Sequence, residues 1–238
     1  MSLIIGTGYW KADQKCEDFY VEHWLSNTLK YADPEKIIVT NAASPPIKSP
    51  EIVQWLNLMI NPAHGTQLKE NIQFEGWSLG FIHGALYAHS CHCDYIFKEQ
   101  DCLAFGPWVE RMYAACEGKQ MVTGELWNHP KRDYTIELSL MLIKYEFIVP
   151  FLAQLFADPG TADKVRPEKK FLTIRDNNPN LIGTIDFGYG GNRPFKCDDC
   201  FYIQKPRWKY ETQTPIKTAV GSGVTPEEIA LLQREGLL

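Results

Sequence analysis

Glu99 and Asp101, one residue apart in the run Glu99-Gln100-Asp101, are the pair in this sequence best suited to chemistry. Side chains alternate with a period of two along extended chain, so at the end of a strand both carboxylates point the same way. Two carboxylates held close together repel and resist double ionisation unless a cation sits between them. Mg²⁺ and Mn²⁺ favour such hard oxygens and bridge one or two carboxylates to substrate phosphates. Acid-x-acid is also an ordinary polar turn, so its place in the fold decides between the two.

That place follows from the surrounding pattern. Leu3–Thr7 is a short apolar run ending in Gly6-Thr7-Gly8, a buried first strand and its turn. Phe19, Tyr20, His23, Trp24, Asn27 and Leu29 recur at helical spacing before Asp33-Pro34 breaks the pattern, and Lys36–Thr40 is a β-branched second strand. Strand, helix, strand at this spacing opens a parallel α/β sheet. Glu51–Ile60 reads as a short helix and Trp77–Ser90 as a helix of small and apolar residues suited to packing on a sheet. Asp94–Lys98 is then a core strand that ends at the acidic turn, and Pro107–Glu117 resumes as helix. In open α/β sheets ligands bind outside the carboxyl ends of strands, where this arrangement puts Glu99 and Asp101. Beyond it, Gln120–Thr123 reads as a strand, Glu137–Phe156 as a long apolar helix interrupted by Pro150, Asp158–Asn180 as loop, and Leu181–Tyr189 as a strand. Thr225–Leu238 carries a capping box, with Thr225 as N-cap, Pro226 at the first helical position and Glu228.

Ala85–Gly106, ALYAHSCHCDYIFKEQDCLAFG, resembles the glycosyltransferases of the GT-A fold, which carry an Asp-x-Asp or variant at the end of a strand after a helix packed on the sheet. The opening Leu3–Thr40 unit is similar in layout. The resemblance implies an α/β fold with a mostly parallel central sheet flanked by helices, as a single domain spanning 1–238. Its nucleotide-sugar half would be 1–106 and its acceptor half 107–238. It implies a glycosyltransferase using a nucleotide-diphosphate sugar, UDP- or GDP-linked, and a glycan or other hydroxyl-bearing acceptor. Mn²⁺ or Mg²⁺ would be held by Glu99 and Asp101, and Thr7, Gly8 and Asn41 would contact base and ribose. Thr123-Gly124-Glu125-Leu126-Trp127 falls where this fold receives its acceptor, with Glu125 bonding hydroxyls and Trp127 stacking on a ring. Each of these residues has an equally good reading as a turn former or a half-buried aromatic.

A second cluster, Gly188-Tyr-Gly-Gly-Asn-Arg-Pro-Phe-Lys-Cys-Asp-Asp-Cys200, combines glycines that allow close backbone approach with Arg193, which can pair with a phosphate. An acceptor hydroxyl attacking the anomeric carbon must lose a proton to a carboxylate. Asp198 and Asp199 are favoured for that role over Asp133 and Glu137, Asp133 doubling as a helix N-cap. Gln204-Lys-Pro-Arg207-Trp208 matches a signature of processive membrane glycan synthases. Those enzymes carry membrane spans and this sequence has no apolar run of that length, so the match is read as coincidental. Cys91-x-Cys93 and Cys197-x-x-Cys200 raise an alternative from a different class, a non-catalytic module stapled by zinc. A third reading is an inactive relative that binds a nucleotide sugar without turnover.

Composition narrows the field further. The net charge of −5 and the absence of a long basic stripe disfavour binding to nucleic-acid backbones. Seven cysteines cannot all pair within the chain, and no charged-then-apolar leader opens the sequence, which leads to an expectation of a reduced, cytoplasmic protein.

Overall fold

The structure is a computed structural model that describes residues 2–9, 14–42, 48–58, 76–100, 102–125, 136–157, 167–186, 202–204 and 233–234, without the side chains of 14–20 and 202–204. In chain order the elements are β1 (Leu3–Tyr9), α1 (Gln14–Tyr31), β2 (Lys36–Ala42), β3 (Val53–Leu58), α2 (Gly76–Ser90), β4 (Asp94–Lys98), β5 (Cys102–Ala104) and α3 (Trp108–Ala115). They continue with β6 (Met121–Glu125), β7 (Ile136–Ile143), α4 (Tyr145–Phe156), α5 (Pro167–Asn177), β8 (Ile182–Ile185) and β9 (Tyr202–Gln204).

Seven strands form one sheet in the order β3-β2-β1-β4-β7-β6-β8. Pairing is parallel from β3 to β4 and between β6 and β8, while β7 runs against both of its neighbours. Chain order runs outward from β1 to β3 on one side and resumes with β4 on the other. The strand order therefore reverses between β1 and β4, where open α/β sheets leave a crevice for ligands. This is the α/β, mostly parallel sheet expected from the sequence.

The sheet separates two apolar layers. On one face Phe81, Ile82 and Ala85 of α2 pack with Phe147 and Phe151 of α4 and Phe171 of α5. On the other, Trp24 and Leu25 of α1 pack with Trp108 and Met112 of α3. Close approach is what the small residues of α2 supply. A Cβ on Gly80 would lie 2.8 Å from Gly8 Cα and 2.9 Å from Gly8 N, so the helix crosses the end of β1 almost backbone to backbone. Gly6 and Gly84 leave room for the fully buried Tyr95 ring, whose hydroxyl is lodged between them.

Three segments depart from the sequence reading. Residues 51–60 were expected to be helical, but Val53–Leu58 is an edge strand, paired in register with Ile37–Ala42. Val53 and Trp55 alternate onto one face of it, which is the period of a strand. The stretch 137–156 is not one helix. Ile136–Ile143 is a strand buried on both faces, so its apolar residues show no alternation, and only Tyr145–Phe156 is helical, with Pro150 within it on the exposed side. The expected loop 158–180 contains α5, which starts on Pro167 and buries Phe171 and Ile174, three residues apart, against the sheet. Of the expected terminal helix, Gln233 and Arg234 are described and are helical; the rest lies outside the described residues.

Candidate functional site

β4 alternates strictly. Tyr95 and Phe97 enter the layer beneath α2, while Ile96 faces the α1 side. Lys98 follows Ile96 onto that side, which leaves Glu99 on the α2 face at the carboxyl end of the strand. Its backbone N–H donates to the Ser139 carbonyl of β7 at 2.8 Å, and its own carbonyl accepts the Cys102 N–H at 3.0 Å, closing the turn. The half-buried Glu99 carboxylate accepts a hydrogen bond from the indole N–H of Trp77, which stands in the first turn of α2. Phe81, Phe97 and Phe171 surround that indole at 6.3, 5.0 and 5.6 Å between ring centres.

The opposite side of the turn is anchored by a lysine that sequence reasoning passed over. Lys98 has no exposed surface; its Nζ donates to Asn27 Oδ1 at 2.7 Å and to Thr28 Oγ1 at 2.8 Å, and lies over the Trp24 and Trp108 rings at 5.1 and 5.7 Å. Burial lowers its pKa from 10.5 to about 7. Asn27 Oδ1 also accepts the Ala104 N–H at 3.0 Å. One α1 side chain thus holds the Lys98 side chain of β4 and the Ala104 N–H of β5, on either side of residues 99–101. The period-two pattern of Ile96 and Lys98 was the available signal, since it puts a lysine in line with a core isoleucine.

Glu137, weighed in the sequence as a base, lies near the start of β7, where its Oε1 accepts the N–H and hydroxyl of Ser139 at 3.1 and 2.6 Å. Because Ser139 also receives the Glu99 N–H, the ends of β4 and β7 bring these two glutamates into one neighbourhood. Thr7 and Asn41 are buried at the carboxyl ends of β1 and β2, Thr7 Oγ1 donating to the Gly8 carbonyl at 3.2 Å and Asn41 Nδ2 to Asn57 Oδ1 at 2.9 Å. Glu125 is exposed at the end of β6, opposite Ile136. Asp101, Trp127, Asp133, Arg193, Asp198 and Asp199 lie outside the described residues, as do Cys197, Cys200, Arg207 and Trp208. Gln204, however, closes β9 opposite Cys102, the first residue of β5 after the acidic turn.

The chemistry of the donor set suits a hard dication. Glu99 offers carboxylate oxygen, and Gln100 Oε1 is buried with no hydrogen-bond partner among the described residues. Ions of this class take one or two protein carboxylates and complete their shell with water and substrate phosphate. Among the described residues no group of three or more His, Cys, Asp or Glu could hold a metal on its own. For the zinc reading, Cys91 is an exposed free thiol, and Cys93 is a buried one whose Sγ donates to the Cys91 carbonyl at 3.3 Å.

No protein-family model matches the sequence, and no curated protein matches it by sequence. Solved structures do match it in shape. A glycosyltransferase involved in glycosylation of the major capsid of PBCV-1 aligns with a TM-score of 0.54 at 10% identity, covering 93% of this chain and 99% of that one. The galactosyltransferase LgtC, in complex with donor and acceptor sugar analogues, aligns over 100% of both chains with a TM-score of 0.53 at 9% identity. A 4-diphosphocytidyl-2C-methyl-D-erythritol synthase from Anaerococcus prevotii reaches 0.52 at 10% identity, covering 98% of this chain and 99% of its own. The fold is GT-A. Sugar transfer and nucleotidyl transfer both occur among proteins of this shape, so the site must choose between them. No described helix is long and apolar enough to cross a membrane.

Proposed function

We propose that this protein transfers a sugar from a nucleotide-diphosphate donor to an acceptor hydroxyl, with Glu99 and Asp101 holding Mn²⁺ or Mg²⁺. The observation that carries this reading is the position of Glu99: its carboxylate stands at the carboxyl end of β4, beside the end of β1, where the strand order reverses. Thr7, Gly8 and Asn41 form the floor under the donor. The absence of an arginine-bearing, glycine-rich segment directly after Leu3–Thr7 favours sugar transfer over nucleotidyl transfer.

A divalent ion bound at this turn supplies positive charge against the diphosphate as it leaves. The chain's own groups do the rest. The acceptor oxygen attacks the anomeric carbon, the bond to the diphosphate oxygen breaks, and the hydroxyl proton passes to Asp198 or Asp199. Arg193 pairs with a phosphate, and Glu125 and Trp127 orient the acceptor. Residues 1–106 then serve the donor and 107–238 the acceptor, in a reducing, cytoplasmic setting.

The test is a thermal-shift panel of UDP, GDP and their sugars, with and without Mn²⁺, on the wild type and on Glu99→Ala and Asp101→Ala. The reading expects a Mn²⁺-dependent rise in melting temperature for one nucleotide diphosphate, lost in both variants, because a ligand that binds only the folded state raises apparent stability. A response to CTP or another triphosphate, with pyrophosphate released from that triphosphate as its nucleotidyl group passes to a sugar phosphate, would identify nucleotidyl transfer instead.

A further inference from the structure

We propose that Trp77 is a positioning residue for the metal site, its indole N–H setting the plane and rotamer of the Glu99 carboxylate. This inference rests on Glu99 acting as a metal ligand.

Trp77 stands at the start of α2, and Glu99 follows Phe97 on the same face of β4, so the indole lies along both residues. A carboxylate on a flexible side chain at a strand end has several rotamers, and an ion selects only those that aim an oxygen at it. A hydrogen bond to a charged acceptor is among the stronger ones a side chain makes, and one from a rigid ring fixes direction as well as distance. The ring cannot follow the carboxylate elsewhere. Phe81 stacks parallel to it within 4°, and Phe97 and Phe171 meet it edge-on at 71° and 77°.

Packing alone would also place a tryptophan here, with the carboxylate as a convenient acceptor. The other described tryptophans divide by depth: half-buried Trp55 donates its indole N–H to Ser49 Oγ at 2.8 Å, whereas the deep ones do not. Among the described residues, the two deepest indoles, those of the fully buried Trp24 and Trp108, are packed without a hydrogen-bond partner. The half-buried Trp77, at the rim where solvent is near, has instead a carboxylate as partner. Groups that orient metal ligands from behind raise affinity because they remove the entropy of finding the right geometry.

The test measures Mn²⁺ binding to the full chain without donor, by calorimetry and by the loss of the free-ion paramagnetic resonance signal. Four proteins are compared: wild type, Glu99→Ala, Trp77→Phe, and a chain carrying benzothienylalanine at position 77, which keeps the indole shape and lacks the N–H. The expected result is about tenfold weaker Mn²⁺ binding for both position-77 variants, with the melting temperature of the benzothienylalanine protein unchanged. If that protein binds Mn²⁺ like wild type while Glu99→Ala has lost binding, the positioning role is overturned and the metal site stands. If Glu99→Ala binds Mn²⁺ as wild type does, or wild type binds none, both fall together. Should Trp77→Phe fail to fold, the benzothienylalanine protein still decides.

Discussion

Lys98 Nζ donates to Asn27 Oδ1 at 2.7 Å with no part of the lysine exposed to solvent. The pair joins β4 to α1 directly beneath the acidic turn. Burial lowers the lysine pKa to about 7, so from there up to 10.5 the unfolded chain holds a proton that the folded chain has released. Stability therefore rises with pH across that window, by at most about 1.4 kcal/mol per unit, and the full cost of the buried ammonium is present below it. Cys116, whose thiol burial raises from 9.0 to about 11, acts in the opposite sense above pH 9, losing stability as pH rises. Urea titrations at pH 7, 8 and 9 should show a rising free energy in wild type and a flatter profile in Lys98→Met. Asn27→Ala should destabilise by about 2–4 kcal/mol, since it leaves Lys98 Nζ with Thr28 Oγ1 alone and removes the acceptor of the Ala104 N–H.

Tyr95 is a simpler case. Its hydroxyl is buried between Gly6 and Gly84 and has no hydrogen-bond partner among the described residues. Tyr95→Phe keeps the ring and removes an unsatisfied polar atom, so stability should rise by about 1 kcal/mol. An unchanged or lowered midpoint in chemical denaturation would mean that the hydroxyl has a bonding role.

The crossing of α2 over β1 is equally exposed to test. A methyl group on Gly80 meets backbone of Gly8 rather than a movable side chain. Gly80→Ala should therefore cost about 1–3 kcal/mol, and because Gly8 belongs to the proposed donor floor it should weaken nucleotide binding as well. Gly118→Ala is a useful contrast. Its site has open space around it but a φ of +68°, so it should lower stability through backbone strain while leaving nucleotide affinity alone.

For the chemical step, Asp198→Asn and Asp199→Asn are expected to separate kcat from KM. Whichever residue takes the acceptor proton should lower turnover by about 10²–10⁴-fold with donor affinity retained. Full activity in both variants would move the role to Asp133 or to Glu137, which shares Ser139 with Glu99.

How much of this was legible in the residues depended on whether one face or two were buried. The opening strand-helix-strand and the strand ending at Glu99 declared themselves, because apolar runs were punctuated by Asp33-Pro34 and by the acidic turn. β7 did not. Both of its faces are covered, which erased the alternation separating Ile136–Ile143 from the helix that follows it. Lys98 was hidden for a related reason: a charge at a strand end reads as exposed until α1 is known to lie over it with Asn27. Trp77 was legible as a helix start, but its partnership with Glu99 spans the fold and has no counterpart in local spacing.

β7 is the one strand of the main sheet that runs against its neighbours, and the reversal matters for how such a protein could diversify. It puts Glu125, where β6 stops, and Ile136, where β7 begins, side by side at the rim that the ligand would enter. Under the proposed function, any lengthening, shortening or rewriting of the ten intervening residues would alter what an incoming acceptor meets first. It would leave the register of β4, and with it the seat of Glu99, untouched. Proteins built on this plan could therefore change acceptor by rewriting residues 126–135 while the seat of the proposed metal ligand was inherited whole.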